Sequence, residues 1–133
     1  MFKVYILRLL ISFILGSIVG LERERKGQSA GLRTHLLVCI GSTSIMIFFI
    51  DYQVELARIA TGIITGIGFL GAGTIIRAKE GIRGLTTAAS IWVSSIIGIG
   101  VGLGFIRESI ILTLFTFITL SLLKLVENKI QIK

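Results

Sequence analysis

Five stretches in which nearly every position is apolar alternate with short polar connections along the chain. They run over about residues 4–21, 34–50, 59–76, 85–105 and 109–126. A helix needs about 20 residues to cross the hydrocarbon core of a bilayer. Strands of a membrane β-barrel are about 10 residues long and alternate in polarity. The stretches are too long and too evenly apolar for strands, so the pattern predicts an all-α, polytopic membrane bundle of five transmembrane helices. Five spans take up residues 1–133 as a single transmembrane domain and leave no room among them for a second soluble one. The first stretch runs into Leu21-Glu22-Arg23-Glu24-Arg25, with no small-residue cleavage site, so a span is expected there rather than a cleaved signal peptide.

Composition points the same way. Hydrophobic residues make up 53% of the chain and charged ones 16%, with a mean hydropathy of +0.94. A soluble domain carries about 25% charged residues, and a chain this short buries only about two-thirds of its surface on folding. A water-facing fold would leave too much apolar surface wet. The chain has no proline, so no span is kinked by that route. Its one cysteine, Cys39, rules out an internal disulfide.

The net charge of +7 would suggest nucleic acid in a soluble domain. Here its distribution reads as an orientation signal, and no nucleic-acid partner is expected. Ten positive residues fall on one side: Arg23, Arg25, Lys26, Arg33, Arg77, Lys79, Arg83, Lys124, Lys129 and Lys133. Four fall on the other: Lys3, Arg8, Arg58 and Arg107. The positive-inside rule then predicts the N-terminus outside and the C-terminus in the cytoplasm. Tyr5, Phe48, Phe49, Tyr52 and Phe105 collect at the predicted outer ends, as an interfacial belt does. The lipid bilayer is the first partner. Each basic residue near an anionic surface adds about 1 kcal/mol to that attraction.

Glycine is frequent, at 16 residues. Gly66-Ile67-Gly68-Phe69-Leu70-Gly71 has the spacing of a dinucleotide loop, but such a loop follows a strand and opens a helix, whereas this one lies inside an apolar run. Close helix packing is the expected use. Gly62, Gly66 and Gly73 fall on one face of span three, with Gly68 and Gly71 opposite. Span three is thus expected to be a central helix packed on two faces. Gly16 and Gly20 in span one, and Gly98 with Gly102 and Gly100 with Gly104 in span four, have the same four-residue spacing. These faces favour a compact bundle and suit a homodimer. A broken helix around a binding site is the alternative.

Polar residues inside the spans form further faces: His35, Cys39 and Ser42 in span two; Thr87, Ser90 and Ser94 in span four; Thr113, Thr116 and Thr119 in span five. Hydroxyls in lipid bond their own backbone or a neighbouring helix, and a polar pathway is the other reading. Among the charges, Glu22 and Arg23 end span one, Arg33, Thr34 and His35 open span two, and Arg77, Arg83, Thr86 and Thr87 lie between and at the start of spans three and four. Glu22 with Arg33 and Arg83 is the expected cytoplasmic network, set against separate solvated charges. On the outer side stand Arg8, Asp51 and Arg58. Arg8 is expected to snorkel, or to pair with Asp51, Glu55 or Glu108. Mg²⁺ favours carboxylate oxygen ligands, and no Asp or Glu lies mid-span. His35 is the only histidine, and no metal-ligand spacing occurs. No catalytic set, metal site or cofactor is expected.

Gly20-Leu21-Glu22-Arg23-Glu24-Arg25 with Gly31-Leu32-Arg33-Thr34-His35, then Arg58-Ile59-Ala60 with Gly66 through Thr74, then Arg83-Gly84-Leu85-Thr86-Thr87-Ala88-Ala89-Ser90-Ile91-Trp92, resemble the successive blocks of the MgtC/SapB family. The resemblance extends over nearly the whole chain. It implies a bacterial inner-membrane, multi-pass, non-enzymatic protein tied to magnesium limitation or ion homeostasis. The role it implies is regulation of other membrane proteins such as the ATP synthase. An ion or solute transporter or channel built as an oligomer is the alternative. The chain departs from the family's virulence branch at Thr86, where those members have Asn, and at Val93, where they have Cys. It is expected to lack that branch's cytoplasmic C-terminal domain, so the resemblance supports the membrane core.

Overall fold

The computed structural model describes residues 1–130; Lys133, placed above in the basic tail, lies outside the described residues. The elements in order are α1 (Phe2–Arg25), α2 (Leu32–Phe48), a 3-10 turn (Gln53–Glu55), α3 (Leu56–Ala72), β1 (Ile76–Ala78), β2 (Gly81–Arg83), α4 (Leu85–Leu103) and α5 (Ile106–Ile130). Three helices, α1, α4 and α5, are long and apolar enough to cross a membrane. The apolar helices α2 and α3 have 17 residues each, about 25 Å at about 1.5 Å per residue.

The arrangement is inside-out relative to a soluble bundle. Exposed residues on α1 and α5 are large and apolar, among them Leu7, Leu10, Phe13, Ile14, Ile111, Leu114 and Phe115. Many of the buried ones are small or hydroxylic. Ser12, Thr43, Ser94 and Ser95 have no exposed surface, beside a core of Leu15, Val19, Cys39, Ile97, Val101 and Leu120. Lipid tails supply no hydrophobic drive between helices, so close approach and hydrogen bonds must hold them. Ser12 Oγ lies 3.2 Å from Cys39 Sγ, and Thr43 Oγ1 lies 2.8 Å from Ser12 Oγ and 2.9 Å from the Gly98 carbonyl. One chain of polar atoms therefore ties α1, α2 and α4 together. Thr113, Thr116 and Thr119 bond carbonyls four residues back in α5.

The central helix is α4, not α3. It packs against all four other helices. Its glycines admit α2 closely: a Cβ on Gly102 would stand 2.6 Å from Met46 Cβ, and one on Gly98 would stand 2.8 Å from Ser42 Cβ. Gly16 and Gly20 of α1 also meet α2, at Cys39 and Leu32. By contrast, Gly71 is the only buried residue of α3; it lies against Ala88. Gly62, Gly66 and Gly68 have nothing within 4 Å of a Cβ, and Gly73 approaches only the Leu70 carbonyl of its own helix end. The expectation of a two-sided, central third helix is thus corrected. A small-residue face marks where close approach is available, but does not say whether the neighbour lies in the same chain.

The third stretch also ends earlier than the apolar pattern suggested. Helix α3 stops at Ala72. Ile76 then enters an antiparallel hairpin in which Ile76, Arg77 and Ala78 pair with Arg83, Ile82 and Gly81. Gly84, at φ +89, turns the chain from β2 into α4, where any Cβ would collide with the Thr74 carbonyl. At the opposite end Tyr5 packs on Phe48 and Phe49 on Tyr52, with ring centroids 5.8 and 6.1 Å apart. The bundle thus has an aromatic end and a basic end.

Candidate functional site

The basic end holds a buried charged cluster. The last turns of α1 supply Glu22, Arg23 and Lys26. Gly20 lets α2 come within reach, since a Cβ there would stand 2.8 Å from Leu32 Cα and 3.3 Å from His35 Cβ. Glu24 Oε2 accepts the Leu32 N–H at 2.9 Å, satisfying one of the free donors that open α2.

Glu22 and Arg23 side chains are each only 4% exposed. Lys26, one turn on, pairs with Glu22 Oε1, and Arg23 Nη1 stands 3.7 Å from Oε2. Neither carboxylate oxygen has a donor in hydrogen-bond geometry, so charge alone holds it. Lys26 Nζ also donates to the Leu120 carbonyl of α5 at 2.7 Å. Arg23 Nη2 donates to Thr87 Oγ1 at 3.2 Å, and Thr87 Oγ1 lies 3.4 Å from Gln28 Oε1. Burial pushes the Arg23 guanidinium below its ordinary pKa, and the charge of Glu22 beside it pushes back. Arg23 Nε is buried with no acceptor.

His35 has no exposed surface. Its Nδ1 lies 2.7 Å from the Gly31 carbonyl and its Nε2 lies 2.9 Å from Ser90 Oγ. A carbonyl only accepts, so Nδ1 carries a proton. Ser90 Oγ donates to the Thr87 carbonyl at 2.8 Å. One hydroxyl proton cannot fully serve both that carbonyl and a neutral Nε2.

Of the residues singled out in sequence, Glu22, Arg23, His35 and Thr87 therefore come together. Thr34 is half-buried in the first turn of α2, and Thr86 lines a cavity beside Arg23. Arg33 and Arg77 are exposed. Arg83, also exposed, pairs with Glu80 at 3.0 Å. The expected network of Glu22 with Arg33 and Arg83 does not form; Arg23 and Lys26 take those places. Arg33 and His35 are two residues apart and so point about 200° apart around a helix. Burying His35 turns Arg33 outward. Lys26, Gln28 and Ser90 are the members that the sequence network omitted. The Glu22-to-Lys26 spacing of one turn was the readable signal.

At the aromatic end, Arg8 Nη1 donates to the Gly102 carbonyl at 2.7 Å. It therefore closes the end of α4 rather than pairing with Asp51, Glu55 or Glu108. Gly104 caps the same end at φ +93. Arg58 pairs with Glu55 at 3.4 Å on the surface, and Asp51 is exposed.

A second feature lies along α3. An apolar groove of about 400 Å³ separates it from α2, lined by Leu37, Gly41, Ile45, Gly62, Gly66 and Leu70 among others. Among the described residues no group of three or more His, Cys, Asp or Glu is placed to hold a metal ion.

The model of the MgtC family matches residues 9–129. The chain is 39% identical over 126 residues to YhiD of Escherichia coli (strain K12), a protein named as a proposed magnesium transporter, covering 87% of this chain and 59% of that one. It is 37% identical over 115 residues to the protein MgtC of Brucella abortus (strain 2308), covering 85% and 48%. It is 41% identical over 111 residues to the protein MgtC of Salmonella typhimurium (strain 14028s), covering 83% and 48%. The chain thus spans 48% to 59% of the length of these relatives. No solved structure matches it.

Proposed function

Given that the chain belongs to the MgtC family, a membrane-protein family linked to magnesium, we propose that it regulates another membrane protein by docking against one of its helices, without catalysis. In this reading it is a multi-pass protein of the bacterial inner membrane, with its N-terminus outside and its basic end in the cytoplasm. Ten basic residues on one side and four on the other support that orientation.

The observation that carries the reading is the open glycine face of α3. Gly62 and Gly66 have the four-residue spacing that brings membrane helices into close contact, yet no other element of this chain comes within 4 Å of where a Cβ on either would stand. The adjoining groove is apolar and follows α3 from Gly62 to Leu70. A partner helix fills such a groove by van der Waals contact. A photo-reactive residue at Thr65, beside Gly66, should crosslink in membranes to a second protein of defined mass. Adducts of this chain with itself alone would transfer the face to a homodimer, and no adduct at all would end the docking reading.

A conduit built by an oligomer is the second reading, favoured by the name of the YhiD relative and by Ser94 Oγ, which is buried on α4 without a partner. Flux of Mg²⁺, K⁺ or H⁺ through liposomes holding the purified oligomer tests it. Absence of flux for all three removes the ionic version.

A further inference from the structure

A cavity of about 250 Å³ lies at the basic end between the end of α1, the start of α4 and the face of α5. We propose that it binds the headgroup of an aminophospholipid, with the phosphodiester on Arg23 and Lys124 and the amine on Glu127.

The first observation is Arg23. Its side chain is 4% exposed and lines the cavity, yet its Nε–H has no acceptor. A buried, charged donor without a partner is rare and calls for an explanation. Glu22 does not supply the acceptor. Its nearest oxygen is 3.7 Å from Nη1, and its charge is shared with Lys26, which faces a different groove between α1 and α5. The guanidinium thus carries positive charge into the cavity wall with one of its donors unused, and an anion seated in the cavity would complement that charge. A guanidinium with a free N–H is well suited to phosphate oxygens.

The second observation is the rest of the lining. Lys124 on α5 adds a second cation, and Gln28 and Thr86 add polar side chains that bond to phosphate or glycerol oxygens. Leu120 and Leu123 are apolar and lie on the same helix, forming a rail for an acyl chain. An amphiphile fits this mixture of walls better than a free ion does. Depth agrees, since Arg23 directly follows the apolar length of α1, where phosphates of a bilayer stand.

The third observation is Glu127, which would repel a plain anion. Two cations and one carboxylate complement a headgroup that is itself one phosphodiester and one ammonium. Phosphatidylethanolamine has that pattern and N–H donors for the carboxylate. Phosphatidylcholine has no N–H, phosphatidylglycerol has no ammonium, and inorganic phosphate has neither the ammonium nor the chains.

The test is native mass spectrometry of the full chain released from detergent after equilibration with each lipid, or with inorganic phosphate, in parallel. Phosphatidylethanolamine should be retained over the other two lipids. Lys124→Gln should lower its retention about threefold, as expected for a partly exposed charge pair. Glu127→Gln should abolish the preference over phosphatidylglycerol while leaving melting unchanged. Both positions are exposed, so these variants fold. Arg23→Lys keeps the charge and removes the planar fork, and should cost about tenfold, one charge-assisted hydrogen bond. Equal retention of all three lipids, insensitivity to Lys124→Gln, or protection by inorganic phosphate as strong as by the lipid would each overturn the proposal.

Discussion

Glycine-to-alanine substitutions in α3 and α4 should have opposite effects, although the sequence spacing of the glycines is similar. A Cβ at Gly102 would sit 2.6 Å from Met46 Cβ and 2.8 Å from the Thr43 carbonyl oxygen; one at Gly98 would sit 2.8 Å from Ser42 Cβ and closer still to the Cys39 carbonyl. Carbon contacts settle at about 3.5–4.0 Å, so α2 must retreat by about 1 Å along this seam. Overpacking of this kind costs about 1–3 kcal/mol per site. At Gly98 the retreat also stretches the 2.9 Å bond from Thr43 to its carbonyl, a further loss of about 1 kcal/mol. Both glycines press on the same helix, so a single retreat relieves both, and the double variant should lose less than the sum. At Gly62 and Gly66 the added methyl meets nothing, and replacing glycine in a helix interior gains about 1 kcal/mol. Thermal unfolding of the purified protein in detergent should rank Gly98→Ala and Gly102→Ala below the parent, and Gly62→Ala and Gly66→Ala at or above it. Gly66→Ala melting below the parent, with Gly98→Ala unchanged, would refute the placement of α4 at the centre and α3 at the edge.

Four further outcomes follow from the same geometry. Glu22→Gln leaves Arg23 and Lys26 facing each other without a counter-charge and should destabilise by about 3 kcal/mol, as breaking one side of a buried pair does; a double-mutant cycle with Arg23→Met should show strong positive coupling, and additive losses would deny the pairing. Ser90→Ala removes the partner of His35 Nε2 and should cost about 1–2 kcal/mol, read as a lowered melting temperature; His35→Ala, which also empties a fully buried volume, should lower it more. Arg8→Met should fray the end of α4, a loss of about 1 kcal/mol, with faster amide exchange at the residues around Gly104 as the local readout. Gly66→Leu, in contrast, should keep the parent melting temperature and lose the crosslink from position 65; retention of the crosslink would detach the α3 face from docking.

How far the sequence carried depended on whether a feature was local. Helix positions follow from runs of apolar residues, and the five observed helices lie within a few residues of the runs. The main exception is the end of α3. Ile75 and Ile76 extend the apolar run, yet Gly73 and the hairpin at Lys79 and Glu80 take the chain out of the helix. Hydropathy cannot separate an apolar helix end from an apolar strand of three residues. The buried cluster was half legible. Glu22, Arg23, His35 and Thr87 stand at helix ends facing the same side, which is readable from the alternation of connections. Which of them meet depends on rotation about each helix axis. That rotation excluded Arg33 and admitted Ser90, and it is set by the glycine contacts of α1 and α4 on α2. The role of α3 was the least legible, because a stripe of small residues has the same pattern whether its partner is in the chain or outside it.

The two candidate surfaces meet at one turn of α4. Gly71, the only buried residue of α3, lies on Ala88, with a distance of 3.3 Å from its would-be Cβ to the Ala88 carbonyl. Ala88 follows Thr87, whose hydroxyl receives Arg23, and precedes by two residues Ser90, which faces His35. A displacement of α3 by a helix in its groove therefore bears first on the turn that holds the charged cluster. Interiors packed this closely move between discrete arrangements rather than deforming smoothly. The groove along α3 and the buried charges at the basic end are thus joined by a contact of backbone against backbone, where Gly71→Ala would intrude on the Ala88 carbonyl. That substitution should disturb both surfaces at once, lowering the crosslink from position 65 and the retention of lipid beside Arg23 together. Loss of one with the other intact would show the two surfaces to be independent.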